Sequence, residues 1–264
     1  MKFLPRVVHS LCDYLKNVVE FKRYPSIVKL LEAIPYGTVQ RGKRLAFCVL
    51  PGRVLLYQYP ENLVFNYEIV IAQHYDALYP IHGNDVVLDV GAHVGVFTVY
   101  AARKARKGIV LAVEPHPINF KLLNLNVQIN EFKNVLTFNI ALTNHTGKVK
   151  LYIHTRPGGH SIVIRRTDKF VVVGAETIDN LFKKINLRNI ESLFIKINAE
   201  GAEIEVLEGG KDTLKRVNDC RIVASCSHFR GEAALLVQLL KKLGFKHIVY
   251  DRTRGLVYAS KEHT

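Results

Sequence analysis

From residue 85 onward the chain alternates continuous apolar runs of strand length, at 86–90, 109–113, 135–140, 193–197 and 221–225, with stretches of helical spacing. Strands that are apolar along their whole length are covered on both faces. Their alternation with helices predicts an α/β domain with a mostly parallel sheet and short crossovers. A further hairpin is expected over 148–153 and 170–174, where Val149, Leu151, Ile153, Val171 and Val173 flank a loop holding Pro157, Gly158 and Gly159. Upstream the pattern differs. Val7, Val8, Leu11, Leu15, Val18 and Val19 fall at helical spacing, and with Pro25 and Pro35 as punctuation they predict two short helices within 1–35. Short apolar runs at 46–50, 54–57 and 63–65, separated by Pro51, Gly52 and Pro60, predict a small β-element. The expected organisation is a helical and β extension over 1–70 followed by one α/β domain over 71–264, with no internal repeat.

Composition narrows this picture. With 264 residues of which 48% are hydrophobic, the chain can bury one large core and needs no second domain. No stretch has the length of a membrane span, and Met1-Lys2-Phe3-Leu4-Pro5-Arg6 leads into charged residues, which predicts a soluble, cytoplasmic protein. Cys12, Cys48, Cys220 and Cys226 lack any spacing suited to zinc and are expected to be free thiols. The net charge of +14 favours polyanionic partners such as RNA through long-range attraction. The charges are dispersed, however, and no RNA-binding module accompanies them. Their densest group, Arg103, Lys104, Arg106 and Lys107, falls where the first core helix should end and complements its negative terminus. Nothing in the sequence sets an oligomeric state.

Three segments carry chemistry. The strand 86–90 runs into Gly91-Ala92-His93-Val94-Gly95 and then a helix containing Phe97 and Thr98. Glycines there permit a tight turn and close backbone approach to a ligand, and the helix start offers free N–H donors. The spacing is GxxxG rather than GxGxxG. Asp89 at the strand tip would repel a pyrophosphate but suits the ammonium end of a methionine-derived cofactor. One βα unit later the strand 109–113 ends in Glu114-Pro115-His116-Pro117, placing a carboxylate where it can accept ribose hydroxyls, or cap the next helix. The third segment, 193–203, delivers Asn198, Glu200 and Glu203 to the carboxyl edge of the sheet, where open α/β sheets bind ligands.

Together these segments resemble the FkbM family of S-adenosylmethionine-dependent methyltransferases over about 75–214. The resemblance rests on DVGAHVGVFT, EPHPINFKLLNLNVQIN, FNIALTNHTGKVKLYI, AETIDNL and IKINAEGAEIEVLEGG. It implies a Rossmann-like class I methyltransferase fold with helices on both faces of the sheet. Position by position, it implies that Asp89, Gly91, Ala92, His93 and Gly95, with Phe97 and Thr98 behind them, hold the methionine end. Glu114 and Pro115 then meet the ribose, Asn139, Ile140 and Ala141 the adenine side, and Asn198 the reacting end. Two departures stand out. The family's usual aspartate is Asn198 here, and the acidic residue commonly found after the fifth strand is missing from Val223-Ala224-Ser225-Cys226-Ser227-His228.

Methyl transfer requires in-line approach of the acceptor, which the enzyme supplies by positioning. A hydroxyl acceptor gains from a general base, for which His228, Glu200 and His160 are the candidates. An amide or amine acceptor could instead be oriented by Asn198. The resemblance favours O-methylation of a small molecule or a glycan. The basic charge keeps an RNA acceptor open, and the missing carboxylates keep open a catalytically silent protein that only binds the cofactor.

Overall fold

A computed structural model describes residues 46–50, 54–58, 69, 73–155, 158–187 and 189–261; the two helices expected within 1–35 and the apolar run at 63–65 lie outside these residues. The first strands, β1 (Ala46–Leu50) and β2 (Val54–Gln58), form an antiparallel hairpin. There follow β3 (Val86–Val90), β4 (Ile109–Val113), β5 (Val135–Phe138), β6 (Ile140–Leu142), β7 (Gly147–Tyr152) and β8 (Phe170–Glu176). The last four are β9 (Ser192–Ile197), β10 (Asp219–Ser225), β11 (His247–Asp251) and β12 (Leu256–Ser260). The helices are α1 (Val96–Lys104), α2 (Pro117–Ile129), α3 (Ile178–Lys184), α4 (Glu203–Glu208), α5 (Lys211–Arg216) and α6 (Glu232–Lys242).

The main sheet has the order β11-β12-β10-β9-β3-β4-β5, and β12 alone runs against its neighbours. Side chains alternate between two cores, as period-two geometry requires. Leu88, Val90, Leu111, Ile195, Ile197 and Ile222 face one way and pack against α3, α4, α5 and α6. Val87, Val110, Phe194, Val223 and Tyr258 face the other way, toward Phe97, Tyr100 and Ala101 of α1. Ala112 joins Leu123 and Val127 of α2 on that same side. Cover on both faces is the reason these strands carry unbroken apolar runs. Leu56 of β2 is also fully buried, and its strand lies against α1 and α2.

Two features depart from the apolar pattern. The run at 135–140 is not one strand. It breaks at Asn139, beyond which β6 leaves the main sheet to pair with β8 in a second sheet of order β6-β8-β7. The C-terminal hairpin β11–β12 has no strong sequence signal, since β11 is the sheet edge and its residues are half-buried or exposed. The expected hairpin around the glycine-rich loop is present as β7 and β8. Arg103 and Lys104 fill the last turn of α1. Cys220 and Cys226 are buried free thiols whose pKa values burial pushes up to about 12, which leaves them unreactive. Among the described residues no helix is long and apolar enough to cross a membrane.

At the amino ends of the strands lies a largely buried polar network. Arg221 is fully buried, and its guanidinium lies 2.6 Å from Asp85 Oδ1 and 3.2 Å from Asp219 Oδ1 while donating to Pro80 O at 2.5 Å. Ser192 Oγ sits between the two carboxylates, 2.6 Å from Asp85 and 2.5 Å from Asp219. Three strand starts are thereby tied to one cation. Arg221→Met strands the Asp85 carboxylate in the core and should lower unfolding free energy by about 3–5 kcal/mol. Urea titration followed by circular dichroism measures this, and a loss below about 1 kcal/mol would show that the network is dispensable.

Candidate functional site

All the parallel strands end at one edge, and over that edge opens a cavity of about 910 Å³. Its floor is the loop after β3. Gly91 (φ 70), His93 (φ 55) and Gly95 (φ 92) are all left-handed, so the chain coils tightly between strand and helix. A side chain at Gly91 is impossible, because its Cβ would stand 1.9 Å from the Asn198 carbonyl oxygen. The N–H groups of Gly91 and Ala92 both donate to Val113 O at 3.0 Å, binding the loop to the tip of β4. Gly91, Ala92, His93, Phe97 and Asn198 line the cavity.

Glu114 at the tip of β4 also lines the cavity, and its carboxylate accepts from His93 N and His116 N, each at 2.8 Å. It is therefore not the cap of α2. His116 takes that position and accepts from Asn119 N through Nδ1, and burial lowers its pKa to about 4, leaving it neutral. Burial also raises the Glu114 pKa to about 7, against the opposing effect of the two N–H donors. The Asn119 side chain bonds this carboxylate too, and since a carboxylate has about four acceptor positions, roughly one remains for a ligand.

Beyond β9 and β10 lies a second polar group. Glu200, itself left-handed at φ 53, pairs with Arg166 at 3.2 Å and lies 3.8 Å from His228 Nε2. The other ring nitrogen, Nδ1, is 3.2 Å from Glu232 and 3.5 Å from Glu203, both fully buried side chains. Burial disfavours the charged imidazole, but the hydrogen bond to Glu232 and the charges of Glu203, Glu200 and Glu232 outweigh it and raise the His228 pKa. Burial drives the Glu203 carboxyl well above the usual range. Burial opposes the charge of Glu232 as well, yet the hydrogen bonds from His228 hold Glu232 below that range. Glu203, His228 and Glu232 are the one set among the described residues with donor atoms close enough to hold a metal ion. Backbone donors satisfy them already: Ala199 N and Gly201 N reach Glu203 at 2.7 and 2.9 Å, and His228 N reaches Glu232 at 2.8 Å.

His160 lies elsewhere. Its ring stacks on His116 with centroids 4.2 Å apart, and its Nδ1 accepts from His154 N at 3.0 Å. It therefore sits over the tip of β4 beside the cap of α2.

The structure does not bring every sequence candidate to the cavity. Asp89 is fully buried, with one oxygen accepting from Thr98 Oγ1 at 2.6 Å and the other 3.0 Å from Lys196 Nζ, and neither Asp89 nor Thr98 lines the cavity. Gly95 packs instead against α2, where a Cβ would meet Leu123 at 2.7 Å. Asn139 holds the β4 tip by donating to the carbonyls of Glu114 and Pro115 at 2.9 and 3.1 Å, and Ile140 packs against the core. Pro115, Ala141 and Glu200 do line the cavity. Sequence reasoning passed over Lys196 and Glu232. The signal for Lys196 was a lone charge inside an apolar strand, which must find partners when buried. Glu232 had no signal beyond its place in the first turn of a helix.

A seven-stranded, mostly parallel sheet with one reversed strand, helices on both faces and a carboxyl-edge cavity over a glycine loop defines a Rossmann-like class I methyltransferase fold. Residues 89–247 match the methyltransferase FkbM domain, and the chain belongs to that family, whose cofactor is S-adenosylmethionine. Methyltransferase 1 of Beauveria bassiana (strain ARSEF 2860) is 26% identical over 199 residues, covering 67% of this chain and 78% of that one. Methyltransferase sdnD of Sordaria araneosa is 25% identical over 175 residues, covering 55% and 68%. Among solved structures, a SAM dependent methyltransferase from Aquifex aeolicus superposes with TM-score 0.43 at 17% identity, over 77% of this chain and 94% of that one.

Gly91→Ala tests the close approach between the β3 and β9 tips. A Cβ 1.9 Å from a backbone carbonyl, on a residue at positive φ, forces both strand ends apart. The variant should lose about 1–3 kcal/mol of stability, read as a lowered melting midpoint. An unchanged midpoint would mean that the loop relaxes freely.

Proposed function

We propose that this protein transfers a methyl group from S-adenosylmethionine to a hydroxyl of a small molecule or a glycan, with His228 as general base. The observation that supports this most directly is His228 itself, which borders the cavity and has Nδ1 fixed 3.2 Å from the buried Glu232 carboxylate. Held in this way, the ring keeps Nε2 for an acceptor proton. Glu200 is the weaker candidate because Arg166 pairs with its carboxylate, and the His160 ring is engaged by His116 and by His154 N.

The residues present fit the cofactor. Gly91, Ala92 and His93 line the floor of the cavity, and Glu114 retains acceptor capacity for ribose hydroxyls. Pro115 and Ala141 border the adjacent adenine side, and Asn198 stands across from Gly91. The cavity volume suffices for a cofactor with a small acceptor beside it. When bound, S-adenosylmethionine supplies an electrophilic methyl group. The chain's residues orient the acceptor, exclude water and receive its proton: the hydroxyl proton passes to His228 Nε2, and Glu232 stabilises the imidazolium that forms.

Two measurements test this reading. Ribose hydroxyls donate to the ionised form of Glu114, whose pKa is raised to about 7, so ligand binding is coupled to loss of its proton. Affinity for S-adenosylhomocysteine, measured calorimetrically, should tighten as pH rises from 6 to 8 by up to about tenfold per unit below the pKa and then level off. Glu114→Gln should remove that dependence. A flat profile in the unaltered protein would remove Glu114 from the site. The second measurement follows label from methyl-labelled cofactor into panels of hydroxylated small molecules and glycans, with RNA as a separate arm. On an accepted substrate, His228→Asn should lower kcat by about 10²–10⁴-fold while cofactor affinity holds. The rate of the unaltered enzyme should rise with pH as the raised His228 pKa is passed and the ring becomes neutral. Full activity in His228→Asn, or methylation confined to RNA, would refute the assignment.

A further inference from the structure

Lys196 is a cation in the floor of the cavity, only 4% exposed, on a strand otherwise made of Ser192, Leu193, Phe194, Ile195 and Ile197. The parallel register sets it directly beside Asp89 on the neighbouring strand, on the same face of the sheet. An ammonium carries three N–H donors. Here the acceptors within reach are three: Asp89 Oδ1 at 3.0 Å, Val90 O at 3.2 Å and Gly91 O at 2.8 Å. The rings of Tyr75 and Phe97 lie over the charge, with centroids 5.5 and 5.9 Å from Nζ. Every donor is engaged within the protein. Lys196 thus has no N–H left to recognise a ligand carboxylate, and a cation held among such acceptors is no base.

The position of the carbonyls gives the lysine its purpose. The Gly91 peptide is where the chain leaves β3 in a left-handed conformation. Its N–H points to Val113 O on the β4 side at 3.0 Å, and its carbonyl points to Lys196 on the β9 side at 2.8 Å. The loop is thereby fixed from both flanks. Thr98 of α1 closes the network by donating to the second oxygen of Asp89 at 2.6 Å. Strand tip, loop and helix start all meet at one ammonium.

We propose that Lys196 is a positioning residue for the cofactor: it sets the glycine loop by holding the carbonyls of Val90 and Gly91, and Asp89 anchors the lysine rather than the ligand. This rests on the reading that the glycine loop holds the cofactor. It reverses the expected order of roles, in which the aspartate meets the methionine end and the lysine is unassigned.

The test compares four full-length proteins, unaltered, Asp89→Asn, Lys196→Arg and the double variant Asp89→Asn/Lys196→Met, by calorimetric titration with S-adenosylhomocysteine and by thermal melting. Asp89→Asn keeps the lysine and its carbonyl bonds, and should bind within a few-fold of the unaltered protein. Asp89→Asn leaves the buried lysine without a counter-ion whereas the double variant leaves no stranded charge, so the double variant should melt at or above Asp89→Asn, yet with the carbonyls untied it should bind on the order of 10–100-fold more weakly, the scale of loss that a small misplacement of a binding group produces. A double variant that binds as tightly as Asp89→Asn would overturn the proposal, since the lysine would then serve only to neutralise the aspartate. Should the double variant fail to fold, Lys196→Arg decides. It retains the charge but not the compact ammonium, so it should stay folded and lose affinity, and unchanged affinity would again overturn the proposal. Binding lost equally in Asp89→Asn would return the ligand contact to the aspartate. Absence of binding by the unaltered protein would instead refute the cofactor site itself, and the proposal with it.

Discussion

Burial of the main sheet on both faces is the constraint from which the rest of the structure follows. A strand covered by helices on either side has no surface at which a polar side chain can meet water, so charges must either pair inside or gather at the strand ends. Both solutions are present. At the amino ends, Asp85, Ser192 and Arg221 are buried and, with the half-buried Asp219, form a network that ties β3, β9 and β10 together. At the carboxyl ends the polar groups open onto the cavity, because that is where the loops turn away from the packed layers.

The two ends of the cavity differ in electrostatic character, and the difference follows from which partners each carboxylate finds. Asp89 has a cation and a hydroxyl, so its charge is balanced within the protein. Glu114 has two backbone N–H donors, the Asn119 side chain and the more distant Lys196 charge, yet burial prevails and raises its pKa to about 7, making its charge responsive to a ligand that brings further donors. Beside β10, Glu203 and Glu232 crowd a single imidazole. Two buried carboxylates around one cation cannot both stay ionised at low cost, so Glu203 moves up while Glu232 moves down and retains the histidine. A histidine with a raised pKa and a carboxylate with a raised pKa arise from the same burial, beside strands about 14 Å apart in the sheet.

Much of this was legible in the chain, for physical reasons. Unbroken apolar runs alternating with helical spacing can be satisfied by few architectures, and the strands at 86–90 and 109–113 were readable to the residue. The glycine loop was legible because left-handed backbone needs glycine, although His93 and Glu200 adopt that conformation without being glycine. The partnerships were not legible. Whether Asp89 faces a ligand or a lysine depends on the register between β3 and β9, whose residues lie more than a hundred positions apart, and no local pattern encodes that register. Asn139 had the appearance of an adenine contact, yet its amide caps carbonyls at the β4 tip and ends a strand that the apolar pattern alone would have continued. Similarly, His160 and His228 were equivalent as sequence, and only the path of the β7–β8 loop separates them.

That loop also joins the two ends above the sheet. At one end His160 stacks on His116, the cap of α2 and the neighbour of Glu114. A few residues on, Ser161 Oγ donates to Glu200 O at 2.7 Å and Arg166 pairs with the Glu200 carboxylate at 3.2 Å. Ile164 packs so closely over Gly201 that a Cβ there would lie 2.7 Å from it. One segment therefore bridges the tips of β4 and β9 across the mouth of the cavity, and it belongs to the small sheet rather than the main one. Parallel strands fix where the glycine loop and the His228 cluster must stand, but they leave the space above them open. A connection free of the main sheet's register can be reshaped without disturbing the core, which is why variation in such folds concentrates in loops of this kind.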